Sequence, residues 1–248
     1  METYNAKDSS LNREDYRFKA LFVGPSGSGK TTLACTLGKT LLIDVDNRAD
    51  SISGFENVEV ANCDPYTPLS ATPWLSVKRI AKELWQMSKK DFPYDTIIWD
   101  GITALNRLSM QYALTLDTKY GLGGVPAMQH YLPQMKEMSD LILGQIPLPC
   151  NVIFTAHLEM HKDKELEIIK MLPKITGNTR DELSGWFNET WRFSATTKGY
   201  FINTIGFGRE DFYKSALNQG GKYWTSPLEW DIESGLNAII DLRFKKEK

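Results

Sequence analysis

The sequence predicts an α/β fold: a mostly parallel central sheet flanked by helices, with an antiparallel extension at the C-terminal end. Three observations carry that expectation. Short apolar runs alternate with amphipathic stretches of helical period up to about residue 157. Two of those runs, "DTIIWD" (95–100) and "NVIFTAH" (151–157), are almost continuously apolar, as strands buried on both faces are. The last third, "DELSGWFNETWRFSATTKGYFINTIGFG", instead suggests one helix and then successive strands joined by short turns.

Residues 1–15 read as a flexible polar arm and 16–248 as a single domain, since 248 residues with 42% apolar content suffice for one sizeable core. "FKALFVG" (18–24) is a strand, "KTTLACTLGK" (30–39) a helix ended by Gly38, and "TLLIDVD" (40–46) a second strand closing on acids. After a Pro-rich loop (65–73), "SVKRIAKELWQMSK" puts Val77, Ile80, Ala81 and Leu84 on one helical face. The strand 95–100 leads into a helix over about 102–115, a Gly-rich break (117–127), and a helix over about 129–146 that contains Pro133. The strand 151–157 follows, and "PLEWDIESGLNAIIDLRF" reads as a closing helix.

Composition narrows the function classes. A formal net charge of −2 means that any nucleic-acid binding must come from a local patch or from repeated subunits. No apolar run reaches the roughly 18–20 residues of a spanning helix, so no membrane association is expected. The first 17 residues are too polar for a signal peptide. Cys35, Cys63 and Cys150 form an odd set without a C-x-x-C pair, which fits buried thiols in a reduced, cytoplasmic setting.

The chemistry concentrates at Gly24-Pro-Ser-Gly-Ser-Gly-Lys30-Thr31, which matches G-x-x-x-x-G-K-[ST] between a strand and a helix. Glycines let the backbone curl so that its N–H groups face a polyphosphate, and the helix start adds a positive end. Lys30 is expected to reach the β- and γ-phosphates of ATP, and the Thr31 hydroxyl to ligate Mg²⁺. The nucleotide-contacting set is Gly24, Pro25, Ser26, Gly27, Ser28, Gly29, Lys30, Thr31 and Thr32. Asp100, ending its strand, is the expected second metal residue.

Gly101 follows Asp100 where many ring-forming ATPases place a water-activating glutamate, so a catalytic carboxylate must come from elsewhere. Asp46 is the best candidate, and Asp44, two residues earlier, is expected to point to the same side of the strand. A solvated strand end or a helix cap is the alternative for both. His157 reaches the same edge, either to sense the γ-phosphate or as a histidine hydrogen-bonded at a strand end. No aromatic stands out as a platform for the base, and Phe55 is a weak candidate.

Four stretches in this order, "GPSGSGKTT", "LIDVD", "YDTIIWDGITAL" and "VIFTAHLE", resemble the RecA-like ATPase core over about residues 18–216. They are most similar to the short phage-encoded RecA-like ATPases linked to single-strand annealing and recombination. The resemblance implies that Asp46 stands where that family has a catalytic glutamate, and His157 where it has a sensor glutamine. It implies two DNA-contacting loops at about 117–127 and 158–176, offering Lys119, Tyr120, Lys162, Lys164, Lys170 and Lys174. Glu159, Asp163, Glu165 and Glu167 leave the second loop without a net basic charge, so DNA contact rests on the resemblance. Lys214 and Lys222, with Arg209 nearby, fall where the family supplies cations to a neighbouring subunit's γ-phosphate. The implied partners are single-stranded DNA, further copies in a filament or ring, and a single-strand-binding protein.

Two other readings stay open. "GPSGSGKT" and "DVD" also fit a small-molecule kinase, although the nine arginines are scattered rather than gathered into a lid. The third is a nucleotide switch acting on a protein partner.

Overall fold

The computed structural model describes residues 12–119, 125–163, 168–177, 179–206 and 212–245. The first part of the chain forms β1 (Lys19–Val23), α1 (Lys30–Ala34), β2 (Thr40–Asp44), β3 (Val58–Asn62), α2 (Thr72–Gln86) and β4 (Thr96–Asp100). Two long helices, α3 (Ile102–Thr115) and α4 (Met128–Gln145), lead to β5 (Asn151–Ala156) and a hairpin of β6 (Leu158–Asp163) and β7 (Ile168–Pro173). A short α5 (Thr179–Glu182) precedes β8 (Glu189–Thr196), β9 (Gly199–Asn203), β10 (Lys214–Ser215), β11 (Leu228–Trp230) and α6 (Gly235–Asp241).

Among the described residues, nine strands make one sheet in the order β11-β9-β8-β1-β5-β4-β2-β3, with β10 also on β8. From β8 to β3 every pairing on this path is parallel, whereas β9, β10 and β11 join antiparallel. The expected mostly parallel sheet with an antiparallel C-terminal extension is therefore what forms.

Alternation along the central strands sorts the core into two layers. Leu21, Val23, Ile97, Trp99, Val152 and Phe154 pack under α2, α3 and α4. Ala20, Phe22, Leu42, Ile98 and Ile153 face α1 and α6 on the other side. Burying both faces explains the continuous apolar runs, and Val77, Ile80 and Leu84 point inward from α2 as expected. All three cysteines are buried and free.

Several boundaries differ from expectation. The first helix ends at Ala34 instead of running to 39, and the chain continues in tighter turns through Thr36 N–H to Leu33 O and Leu37 N–H to Ala34 O. The Thr36 hydroxyl also donates to Leu33 O, which favours that tightening. β2 stops at Asp44, so Asp46 lies in the following turn and does not share a strand face with Asp44. β3 was not anticipated; as an edge strand it exposes Glu59 and Val60, which weakens its apolar signature. Leu228–Trp230 is a strand rather than the head of the closing helix.

The largest correction is at 158–176, expected to be a loop. It is the β6–β7 ribbon, paired from Leu158↔Pro173 to Asp163↔Ile168 and, among the described residues, bonded to no other strand. Of the polar arm, residues 1–11 lie outside the described set. The described part is tied down, with the Arg13 guanidinium donating to Asp241 at 2.6 Å and to Asn237 at 2.8 Å. Among the described residues, no helix is long and apolar enough to cross a membrane.

Candidate functional site

The parallel register brings four strand ends to one level. Val23 pairs with Ala156, and Asp44 with Asp100, so β1, β5, β4 and β2 finish side by side. Gly24 N–H bonds to Ala156 O at 3.2 Å and Val45 N–H to Asp100 O at 2.8 Å, which extends the alignment one residue further. Gly24, His157, Asp100 and the turn holding Asp46 therefore converge on the carboxyl edge, where open α/β sheets bind ligands.

A cleft of about 500 Å³ opens there. Ser26, Gly27, Ser28, Gly29, Lys30, Thr31 and Thr32 line it together with Asp44, Asp46, Asp100 and His157. Arg48, Ser51 and Tyr200 complete the lining, and none of these three was foreseen. Phe55, the weak candidate for the base, packs instead against the α1/α6 side of the core.

Lys30 is 7% exposed, and its ammonium donates to the carbonyls of Gly24 (3.0 Å) and Pro25 (2.8 Å). Burial pulls its pKa down to about 8, with the Asp100 carboxylate partly opposing. Because α1 spans only five residues, its macrodipole is small, and the loop N–H groups and Lys30 supply most of the positive field. Gly29 sits at φ +84°, and a Cβ there would lie 2.5 Å from the Trp230 ring. Glycine is thus required twice at this position, by the backbone and by its neighbour.

Asp100 is held at both oxygens. The Thr31 hydroxyl donates to Oδ2 at 2.8 Å, and the Thr155 hydroxyl donates to Oδ1. Thr155 comes from β5, the strand lying between β1 and β4. Its only trace in the sequence is a polar residue inside an apolar run. Gly101 also gains its reason here: a Cβ at 101 would stand 2.8 Å from Thr155 Oγ1, leaving no room for glutamate.

Asp44 and Asp46 have different surroundings. Asp44 is 4% exposed, and its carboxylate accepts backbone bonds from Asn47, Arg48 and Ala49, while burial still holds its pKa above the ordinary value. It shapes the turn. Asp46 is more open to the cleft and lies 3.6 Å from the Arg107 guanidinium of α3, which also sits over the Tyr66 ring. His157 is half-buried at the end of β5. Burial and then the Lys30 charge push its imidazole below the ordinary pKa, against the pull of Asp46, Asp100 and a bond with the Gly24 backbone. The shift favours the neutral imidazole.

Residues 17–225 match the family described as AAA domain. This chain belongs to that family. No curated protein matches it. An AAA-type P-loop ATPase domain implies nucleotide binding, and the loop, cleft and carboxylates above are the parts of such a site. The donor set fits Mg²⁺, a hard ion bound through few protein oxygens and completed by water and phosphate. The Thr31 hydroxyl and the Asp100 carboxylate, already 2.8 Å apart, are the groups that would hold it.

Among the described residues, the remaining expected ones of this ATPase domain do not line the cleft. Lys119 is exposed, and Tyr120 and Lys164 lie outside the described residues. Lys162 and Lys170 stand on opposite faces of the ribbon, since Lys162 pairs with Ile169 and Lys170 with His161. Lys174, at the ribbon's root, is exposed. Lys214 sits in β10 beside Thr190, on the amino half of β8, and burial lowers its pKa. The Lys222 ammonium lies 5.5 Å from the Tyr223 ring centre, and Arg209 is outside the described residues.

Proposed function

We propose that this P-loop ATPase is a RecA-like protein that binds single-stranded DNA, assembles on it as a homo-oligomer and promotes annealing or strand exchange. A single-strand-binding protein is its expected accessory partner. One observation carries the reading. His157 at the phosphate cleft is immediately followed by β6, and its carbonyl accepts the Lys174 N–H at 2.8 Å just after β7. Both roots of the ribbon are thus tied to one cleft residue, so a change at the γ-phosphate end reaches the ribbon directly.

In this reading Lys30 binds the β- and γ-phosphates, and Thr31 and Asp100 hold Mg²⁺, which neutralises phosphate charge when bound. Thr155 positions Asp100. Asp46, oriented by Arg107, accepts a proton from water as the water oxygen bonds to the γ-phosphorus and the bond to the β-phosphate oxygen breaks. His157 hydrogen-bonds near the γ-phosphate. Lys119, Lys162, Lys170 and Lys174 supply phosphate contacts for DNA, and Lys214 and Lys222 reach a neighbouring subunit.

The test is steady-state ATP hydrolysis with and without single-stranded DNA, with Lys30→Ala as the blank. Strong stimulation that vanishes in the variant is expected. Lys30-dependent turnover indifferent to DNA overturns the DNA reading and leaves the ATPase. A nucleotide switch for a protein partner has one observation in its favour: the carboxylate offered as base is engaged by Arg107. Slow turnover with nucleotide-dependent assembly and no DNA effect would select it.

A further inference from the structure

The phosphate cleft has a direction. The metal-side residue Asp100 is on β4, which lies on the β5 side of β1 in the sheet order. A nucleoside triphosphate whose terminal phosphates lie toward Asp100 and His157 must therefore lead its ribose and base away from them, toward β8 and β9. On that opposite side the cleft is lined by Tyr200 of β9.

Tyr200 is placed as a platform would be. Tyr200 is 43% exposed in an otherwise polar cleft, and one of its ring carbons lies 3.3 Å from where a Cβ added to Gly29 of the phosphate loop would stand. The ring is also backed by a row of packed aromatics, tilted or edge-on to one another. Tyr200 lies 5.2 Å from Trp230, its cross-strand neighbour on β11. Trp230 in turn meets Phe193 at 6.3 Å, and Phe193 meets Phe22 at 4.6 Å in the core. A ring already held by its neighbours loses little freedom when a second flat group covers it. Trp230, 7% exposed and pressed on Gly29, links the loop's conformation to the platform.

We infer that Tyr200 is the surface on which the base of the bound nucleotide stacks, with Trp230 as its backing. The antiparallel extension would then complete the nucleotide site, carrying the base wall that the parallel core lacks. The inference rests on nucleotide binding in this cleft and not on the DNA-binding part of the proposed function.

Binding of ATP and of inorganic tripolyphosphate, both with Mg²⁺ and without DNA, separates the base from the phosphates. Calorimetric titration of Tyr200→Ala should show ATP bound about tenfold or more weakly, with tripolyphosphate within about twofold of the unaltered protein. Tyr200→Phe, which keeps the ring, should bind ATP like the unaltered protein. Unchanged ATP affinity in Tyr200→Ala overturns the inference. A parallel loss of both ligands overturns it too, since that marks a disturbed loop. If the unaltered protein binds neither ligand, the nucleotide reading itself falls and takes this one with it. An ATP loss restricted to Tyr200→Ala, in a protein whose turnover ignores DNA, would leave the platform standing and remove only the DNA reading.

Discussion

The phosphate cleft and the β6–β7 ribbon are one residue apart in sequence and opposite in physics. In the cleft the charged groups are engaged: Lys30 by two carbonyls, Asp100 by two hydroxyls, Asp44 by the backbone of the turn after it. The strands beneath it are buried on both faces. Among the described residues the ribbon's strands pair only with each other, and it exposes Met160 (74%) and Ile169 (65%). Beyond its root, where Leu158 packs on the core and the Tyr213 hydroxyl donates to Met171 O, a two-stranded ribbon is marginal, so the order of its outer part is cheap to change. The difference teaches where geometry is fixed and where a response can be read out.

The strongest way to break that contrast is at Lys30. Lys30→Ala should lower ATP hydrolysis by about 100-fold or more in a steady-state assay, since a donor aimed at developing phosphate charge is lost. Lys30→Met should at the same time raise Tm by about 2–4 °C, because it removes a buried ammonium; a lower Tm would show that the lysine also stabilises the fold. Gly29→Ala should cost about 2–4 kcal/mol in denaturant unfolding, from its positive φ and the clash with Trp230. Thr155→Val should lower kcat about tenfold while changing the KM for ATP little, because it frees one oxygen of Asp100.

Proton linkage gives a smaller, graded effect. With Lys30 near 8 in the free protein, binding a polyphosphate below that pH finds the ammonium already charged. Above it, binding must take up a proton, so the Kd for ATP should rise by up to about tenfold per pH unit above pH 8. A flat Kd from pH 7 to 9.5 would contradict the assigned role of Lys30. The smallest effect belongs to the ribbon. Met160→Ser and Ile169→Ser should each change unfolding stability by less than about 0.5 kcal/mol while altering any DNA stimulation of turnover.

Much of the site was legible because its chemistry is local. Gly24 to Thr32 are contiguous, and Asp100 and His157 end apolar runs that could only be buried strands. Residues that act through distant partners left weak signals. Thr155 is one hydroxyl inside an apolar strand, and Arg107 is one cation in an amphipathic helix. Tyr200 reads as an ordinary strand aromatic until β8 and β9 fold against the phosphate loop. The ribbon was expected as a loop because the resemblance implied one there, and its strands carry little signal of their own: charged and apolar residues share both faces, and burial at Leu158 and Pro173 is confined to the root.

By itself the sequence determined the phosphate loop, the order of strands and helices through residue 157 except the edge strand β3, and the parallel character of the core. Local backbone freedom and apolar periodicity decide those within a few residues of chain. Only the tertiary structure decided which acid is which, Asp44 turned into a buried anchor and Asp46 left to face the cleft with Arg107. It alone put Thr155 against Asp100 and Tyr200 beside Gly29, because the strands that carry them become neighbours only when the sheet closes its register.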